Sequence, residues 1–243
     1  MKMLTFAYRN TKEFLRDPLY LGFSIGFPLV LLFLLSAIQS SVPVPLFTID
    51  SLTPGVTVFG LSFLTLFSAT VIAKDRASAL LLRLYTSPMT PWDFLLGYTL
   101  PILPIALLQG AICYLAAFCL GLVPTASIFL ALLLLLPSSL LYVGLGLLFG
   151  SVLNDKQVGG VCGGLLTNLS AWLAGIWFDP QLVGGAFADV ANALPFLHAV
   201  EMERAALMGD VCAALTHLWW VLGYAVAVLI LAVFLFLRQM RAR

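Results

Sequence analysis

The chain has 243 residues, of which 62% are hydrophobic and 9% charged, where soluble globular chains average roughly 45–50% and about 25%. That balance excludes an ordinary soluble domain, and twelve Lys+Arg against eleven Asp+Glu, a net charge of +1, exclude a broad basic surface for nucleic acid. Four cysteines (Cys113, Cys119, Cys162, Cys212) form no CxxC pair and read as small packing residues.

Residues 1–17 are amphipathic at helical spacing. Lys2, Arg9, Lys12, Glu13 and Arg16 gather on one face and Met3, Leu4, Ala7, Tyr8, Phe14 and Leu15 on the opposite one, with Phe6 straying. An interfacial helix along the inner leaflet is expected, its basic residues toward the headgroups, before Pro18 turns the chain into the membrane. The segment lacks the order of a cleavable signal peptide, since the apolar run follows a charged stretch and has no small-residue cleavage site.

Beyond Pro18 the charges mark boundaries, because a charged side chain at mid-bilayer costs about 3 kcal/mol on insertion scales and a crossing takes about 20 apolar residues. Charge-free windows then predict six spans, at 19–38, 52–73, 94–120, 126–153, 157–178 and 212–237, so that 18–243 form one transmembrane domain. The window Phe94–Asn154 holds 61 residues without a charge. As one helix it would run about 90 Å, against about 30 Å of hydrocarbon, so it must reverse once. Gly121-Leu122-Val123-Pro124-Thr125 supplies the turn, and Pro101, Pro104 and Pro137 are candidate kinks in spans three and four.

Eleven of the twelve positive residues fall on one side of this layout and only Arg204 on the other, while the acidic residues divide five to six. Positive residues are retained in the cytoplasm, so both termini are expected there.

Gly22-Phe23-Ser24-Ile25-Gly26 matches the nucleophile pattern of serine hydrolases, but that chemistry needs a strained strand-to-helix turn and a nearby histidine. His198 and His217 both belong to the other side, so an intramembrane hydrolase is not expected. Gly144, Gly146 and Gly150 lie in an apolar span without a βαβ context. Together with Gly159, Gly160, Gly163 and Gly164, two interleaved GxxxG pairs, they read as sites of close helix packing. No Asp, Glu, Lys or Arg falls inside the spans, which argues against ion-coupled transport. None of Lys2, Lys12, Lys74 and Lys156 follows a glycine, so the phosphate loop of an ATPase is missing and ATP-driven work would need a separate chain.

The segment after span two opens on Lys74-Asp75-Arg76, continues through Ala and Leu helix formers, and stops before Pro88. Leu80, Leu81, Leu82, Leu84 and Tyr85 make it more apolar than a plain loop, which points to docking on a partner or burial under the spans. The outer connection 179–210 is likewise too apolar over 183–188 and 190–197 for a free loop, and is expected to dip back into the membrane or pack on the spans.

These two segments carry a resemblance to the type-2 membrane subunits of ATP-binding-cassette (ABC) transporters, mostly bacterial exporters. In that family a stretch Asp-Arg-Glu-x-Gly-Thr-Leu-Glu-Arg-Leu, then Thr-x-Pro, follows span two. Asp75, Arg76, Leu81, Arg83, Leu84, Thr86 and Pro88 match it, while Ala77, Ala79 and Leu82 depart from it. Trp92–Gly97 resembles the family's entry into span three, and Leu194–Gly209 its two short re-entrant helices before span six. The resemblance implies an all-α polytopic membrane protein with six transmembrane helices, an N-terminal amphipathic helix and re-entrant outer helices between spans five and six. It implies a permease of the bacterial plasma membrane with no ATPase site or metal site of its own. Its partners would be two copies of a cassette ATPase, which bind the ATP and Mg, and a second permease subunit as homodimer or heterodimer, all within membrane lipid. ATPase coupling would fall on Asp75, Arg76, Leu81, Arg83 and Leu84, and an outer gate on Pro195, Glu201 and Arg204. Uncharged spans suit hydrophobic or amphipathic cargo, such as a drug, lipid, peptide or glycolipid. The alternative is a passive channel or a scaffold subunit of a membrane complex.

Overall fold

The computed structural model describes residues 2–78 and 90–241, which are predominantly helical and contain no strand. Helix α1 is Lys2–Arg16, α2 Pro18–Ser41, α3 Ile49–Ala77, α4 Trp92–Cys119 and α5 Ser127–Val152. Helix α6 covers 155–173, followed by a single turn Pro180–Val183, then α7 (Gly185–Ala193), α8 (Pro195–Met208) and α9 (Val211–Arg241). Among the described residues five helices are long and apolar enough to cross a membrane: α2, α3, α4, α5 and α9.

The predicted fifth span, 157–178, differs from what forms. Helix α6 stops at Leu173, because Gly175 takes a left-handed φ of +69° and the Ile176 amide turns back to the Ala171 carbonyl at 3.4 Å. Its four glycines, Gln157 and Asn168 dilute its apolarity, and it is not among the five. The other boundaries fall within a few residues of expectation and have visible causes. Asp17 accepts from the Leu19 and Tyr20 amides and starts α2 at Pro18. Capping boxes at Thr90/Asp93 and Asn154/Gln157 start α4 and α6. The reversal predicted at 121–125 is there, with Gly121 at φ +102°. The helix ladder of α4 breaks at Leu100–Pro101, where a kink was expected, whereas Pro137 sits inside an unbroken α5.

Helix α3 is the axis of the molecule; 83% of its apolar window is buried. Its Thr65, Ser68 and Ala69 meet Gly146 and Gly150 of α5, where an added Cβ would come within 2.8 Å of Ser68 Cβ and of the Ala69 carbonyl oxygen respectively. Thr65 also donates across to the Tyr142 carbonyl at 2.7 Å. Close backbone approach and a hydroxyl bond thus join α3 and α5, the means available to helices that gain nothing from burying apolar surface in lipid. Two helices contain π-turns that open on glycine, Gly22–Gly26 in α2 and Gly159–Leu166 in α6. The hydrolase-like pentapeptide is therefore one helical turn with Ser24 buried in it.

Helices α7 and α8 form a hairpin whose tip lies deep among the long helices. Leu194, extended ahead of Pro195, makes the bend. Tyr224 donates to the Ala193 carbonyl at 2.6 Å, and Phe196 meets the Tyr142 ring at 6.1 Å. Tyr224 is thirteen residues into α9 and Tyr142 fifteen into α5, so the tip reaches about 20 Å along both helices at about 1.5 Å per residue.

Candidate functional site

The end of the bundle that carries the termini is built around Asp75. This carboxylate is 4% exposed and accepts from both ends of the Arg9 guanidinium, at 2.7 and 2.8 Å, and from the Tyr98 hydroxyl at 2.9 Å. The paired Asp75 raises the Arg9 pKa above its ordinary value against the opposing cost of burial, and Arg9 also meets Glu13 at 2.8 Å. Around this ion pair α1 is fastened to α4. Asn10, fully buried, donates to the Gly97 carbonyl at 2.9 Å, and Phe6 sits edge-on to Phe94 and Tyr98 in a notch that leaves no room for a Cβ on Gly97. The buried stripe of α1 is thus Phe6, Asn10 and Phe14, while Leu4, Tyr8 and Leu15 are exposed. The residue that strayed from the expected apolar face is its anchor, and the basic Arg9 faces protein rather than headgroups. Next to Asp75, Arg76 donates to the Leu153 carbonyl at 2.6 Å and ties the end of α3 to the end of α5.

Asp75 and Arg76 therefore have their side chains engaged within the chain. Leu81, Arg83 and Leu84, the other expected coupling residues, lie outside the described residues. Of this cluster, sequence reasoning placed Arg9 toward the headgroups and Phe6 off the apolar face, and did not single out Asn10 or Tyr98. The spacing of Phe6, Asn10 and Phe14, each four residues apart, is the signal that would have found the buried stripe.

At the opposite end a cavity of about 460 Å³ opens between the α2–α3 loop, the residues after α6, and the α8–α9 pair. Phe47, Trp177 and Phe178 wall it, with Glu201, Arg204, His198 and His217 among its polar groups. Arg204 spends its guanidinium in three directions: to the Ser51 carbonyl at 3.2 Å, the Gly175 carbonyl at 3.1 Å and Glu201 at 2.7 Å. It so joins the start of α3, the end of α6 and α8. Glu201 and Arg204 are together as the sequence proposed, whereas Pro195 lies at the buried hairpin tip, away from the pair. Glu203 faces the other way. It is fully buried, and the Tyr114 hydroxyl is 3.3 Å from one of its oxygens. Burial pushes this carboxyl well above its ordinary pKa, only partly offset by the Tyr114 bond. The spans contain no charge in their sequence, yet a carboxyl reaches their interior from the connecting segment.

Of the seven glycines expected to pack helices, Gly146 and Gly150 make the closest approaches, Gly144 faces Val228 and Leu229, and Gly163 faces Leu66; at Gly159, Gly160 and Gly164 an added Cβ meets no described atom of the chain.

Bundled apolar helices, an amphipathic helix pinned to one end and a hairpin packed into the other define a multi-pass helical membrane protein. The sequence profile of ABC-2 type transporters matches residues 1–208. The chain belongs to the ABC-2 type transporter family, as a permease component of an ABC transporter. No curated protein matches it.

Proposed function

We propose that this chain is the permease subunit of an ABC exporter in a bacterial plasma membrane. It moves a hydrophobic or amphipathic substrate, with both termini cytoplasmic and α6 completing a sixth crossing. A separate cassette ATPase, which binds the ATP and Mg, docks on the segment between Ser78 and Thr90. The carrying observation is the family match over 1–208, and the geometry of the Asp75 cluster supports the docking site. The segment leaves α3 immediately after Asp75 and Arg76 and re-enters at the capping box that starts α4. A push on it is delivered at once to α1, α3, α4 and α5. Asp75 and Arg76 then act from inside as positioning residues, not as surface contacts. Helix α3 carries the displacement over the 24 residues from Asp75 to Ser51, about 36 Å at about 1.5 Å per residue, to the carbonyl that Arg204 holds.

The deep α7–α8 tip supports reading that hairpin as re-entrant, with the Glu201–Arg204 pair above it as part of an outer gate. The exposed α6 face of Gln157, Gly160, Gly164 and Asn168 suits a second permease copy, since small and polar residues at membrane depth favour helix association.

Purification of the chain from its native membrane in mild detergent is expected to bring with it a cassette ATPase, identified by mass spectrometry. Arg76→Ala and Arg83→Ala together are expected to abolish the permease's stimulation of that ATPase. Transport by the isolated chain without any ATPase would overturn the reading.

A further inference from the structure

His198 on α8 and His217 on α9 face each other with their Nδ1 atoms 2.8 Å apart. The other nitrogen of His198, Nε2, is 2.9 Å from the Asn192 carbonyl oxygen near the end of α7. A carbonyl can only accept, so Nε2 of His198 carries a proton. In the neutral ring Nδ1 is then a lone pair, and the Nδ1–H of His217 donates to it. The carbonyl acceptor fixes the order of protons along this row. The Trp220 indole, on the same helix as His217, stacks on His198 with ring centroids 4.9 Å apart and planes at 13°.

This row has room for one more proton and no more. A first proton on Nε2 of His217 leaves every hydrogen bond of the row in place. A second must go on Nδ1 of His198, which sets two N–H groups head to head and two positive rings with centroids 5.1 Å apart in a half-buried site. The charged groups that share the cavity are Glu201 and Arg204 on α8, paired with each other at 2.7 Å, and Asp179 ahead of the Pro180–Val183 turn. Asp179 caps the Gln181 amide and Arg204 is engaged with two carbonyls as well as Glu201, so Glu201 is the one carboxylate whose charge acts on His217 from α8. The polar face that α9 turns to His198 is His217 itself, and α7 contributes the uncharged Asn192 carbonyl.

We propose that the His198–His217 contact is a proton-operated latch between the α7–α8 hairpin and α9, closed when the pair holds no proton or one beyond its neutral complement, and open when it holds two. Opening separates α8 from α9 at the cavity wall, while Tyr224 keeps its bond to Ala193 at the tip and confines the movement to the part of the hairpin above it. The latch stands on this geometry alone and is independent of the transport reading.

Hydrogen exchange of the purified full chain in lipid nanodiscs tests it, at several pH values from 7.5 to 4.5, with labelling times scaled to the intrinsic exchange rate. Peptides of α8 are expected to exchange faster in acid, rising roughly tenfold per pH unit while the singly protonated pair predominates and levelling off once the doubly protonated pair does, while those of α3 stay unchanged. His198→Gln and His217→Gln each keep a neutral donor and acceptor but cannot take the charge, and either one is expected to remove the acid response while preserving the pattern at pH 7.5. An unaccelerated wild type down to pH 4.5, or a folded Gln variant that keeps the acceleration, would overturn the latch.

Discussion

Near each end of helix α3 an arginine from another helix holds it, and these two arginines work differently. At the terminal end Arg9 meets a carboxylate, Asp75, with two short parallel bonds and a tyrosine completing the site. At the opposite end Arg204 gives two of its three directions to backbone carbonyls, Ser51 and Gly175, and only the third to a carboxylate. The first contact reads the charge of a partner and the second reads chain geometry, the positions where α3 begins and α6 ends. Both contacts use the planar fork of guanidinium, but a lysine at the first would keep its charge attraction to a carboxylate, whereas a lysine at the second could not reach two carbonyls on separate segments at once. The two ends of the axis should therefore fail under different substitutions.

The largest effect is expected from Asp75→Ala, which leaves Arg9 its pair with Glu13 but removes the buried carboxylate to which Arg9 and the Tyr98 hydroxyl donate. Breaking a buried pair costs about 3–5 kcal/mol, and because the Arg9 side chain is 38% exposed a loss of about 2 kcal/mol is expected in thermal unfolding. A loss no larger than that of Lys12→Ala would show that the terminal end is not held by this pair. Arg204→Lys should cost about 1–2 kcal/mol, since an ammonium group cannot serve Ser51, Gly175 and Glu201 together. Arg9→Lys keeps the charge opposite Asp75 and should cost less than Arg204→Lys; the reverse order would remove the distinction between the two ends.

Glu203 sharpens the comparison through pH. Its folded pKa is raised, so the folded chain keeps a proton that the unfolded chain releases above about pH 4.3, and stability falls by up to about 1.4 kcal/mol per pH unit from there up to the folded pKa. Glu203→Gln should flatten that decline in the unfolding midpoint. An unchanged pH slope in the glutamine variant would mean that Glu203 is already ionised in the folded chain. The smallest effect is expected from Gly164→Ala. An added Cβ there meets nothing within the chain, so the stability of the isolated chain should stay within about 0.5 kcal/mol of wild type, as read by thermal unfolding.

Much of the layout is legible in the sequence because lipid imposes it: charges stop spans, and Gly121 with Pro124 must reverse a 61-residue apolar window. Local capping accounts for Asp17, Thr90 and Asn154 at helix starts. What stayed hidden depends on partners far along the chain. The Arg9–Asp75 pair spans 66 residues, and a face drawn from charge alone assigned Arg9 to headgroups. The end of α6 turned on the left-handed conformation of Gly175, which composition does not reveal because apolar residues continue to Phe178. Among glycines at equivalent spacing, Gly146 and Gly150 pack because Thr65, Ser68 and Ala69 stand opposite them, while Gly160 and Gly164 have no such neighbours in the chain. Glu203 looks like one of three polar residues in an outer connection, and its burial follows from the hairpin lying among the long helices.

That hairpin also sets a schedule. The ring of Tyr142 is completed by Phe196, and the tip itself is secured only when Tyr224 has been made, 82 residues after Tyr142. At about 5–20 residues per second of synthesis the ribosome needs about 4–16 s to cover that distance. Throughout that interval the Tyr142 ring lacks its neighbour from α8, while Gly146 and Gly150, one and two turns further along the same face, can already rest against their partners on α3. The nascent chain thus carries a finished half and an open half, and the open half closes only as the last helix leaves the ribosome.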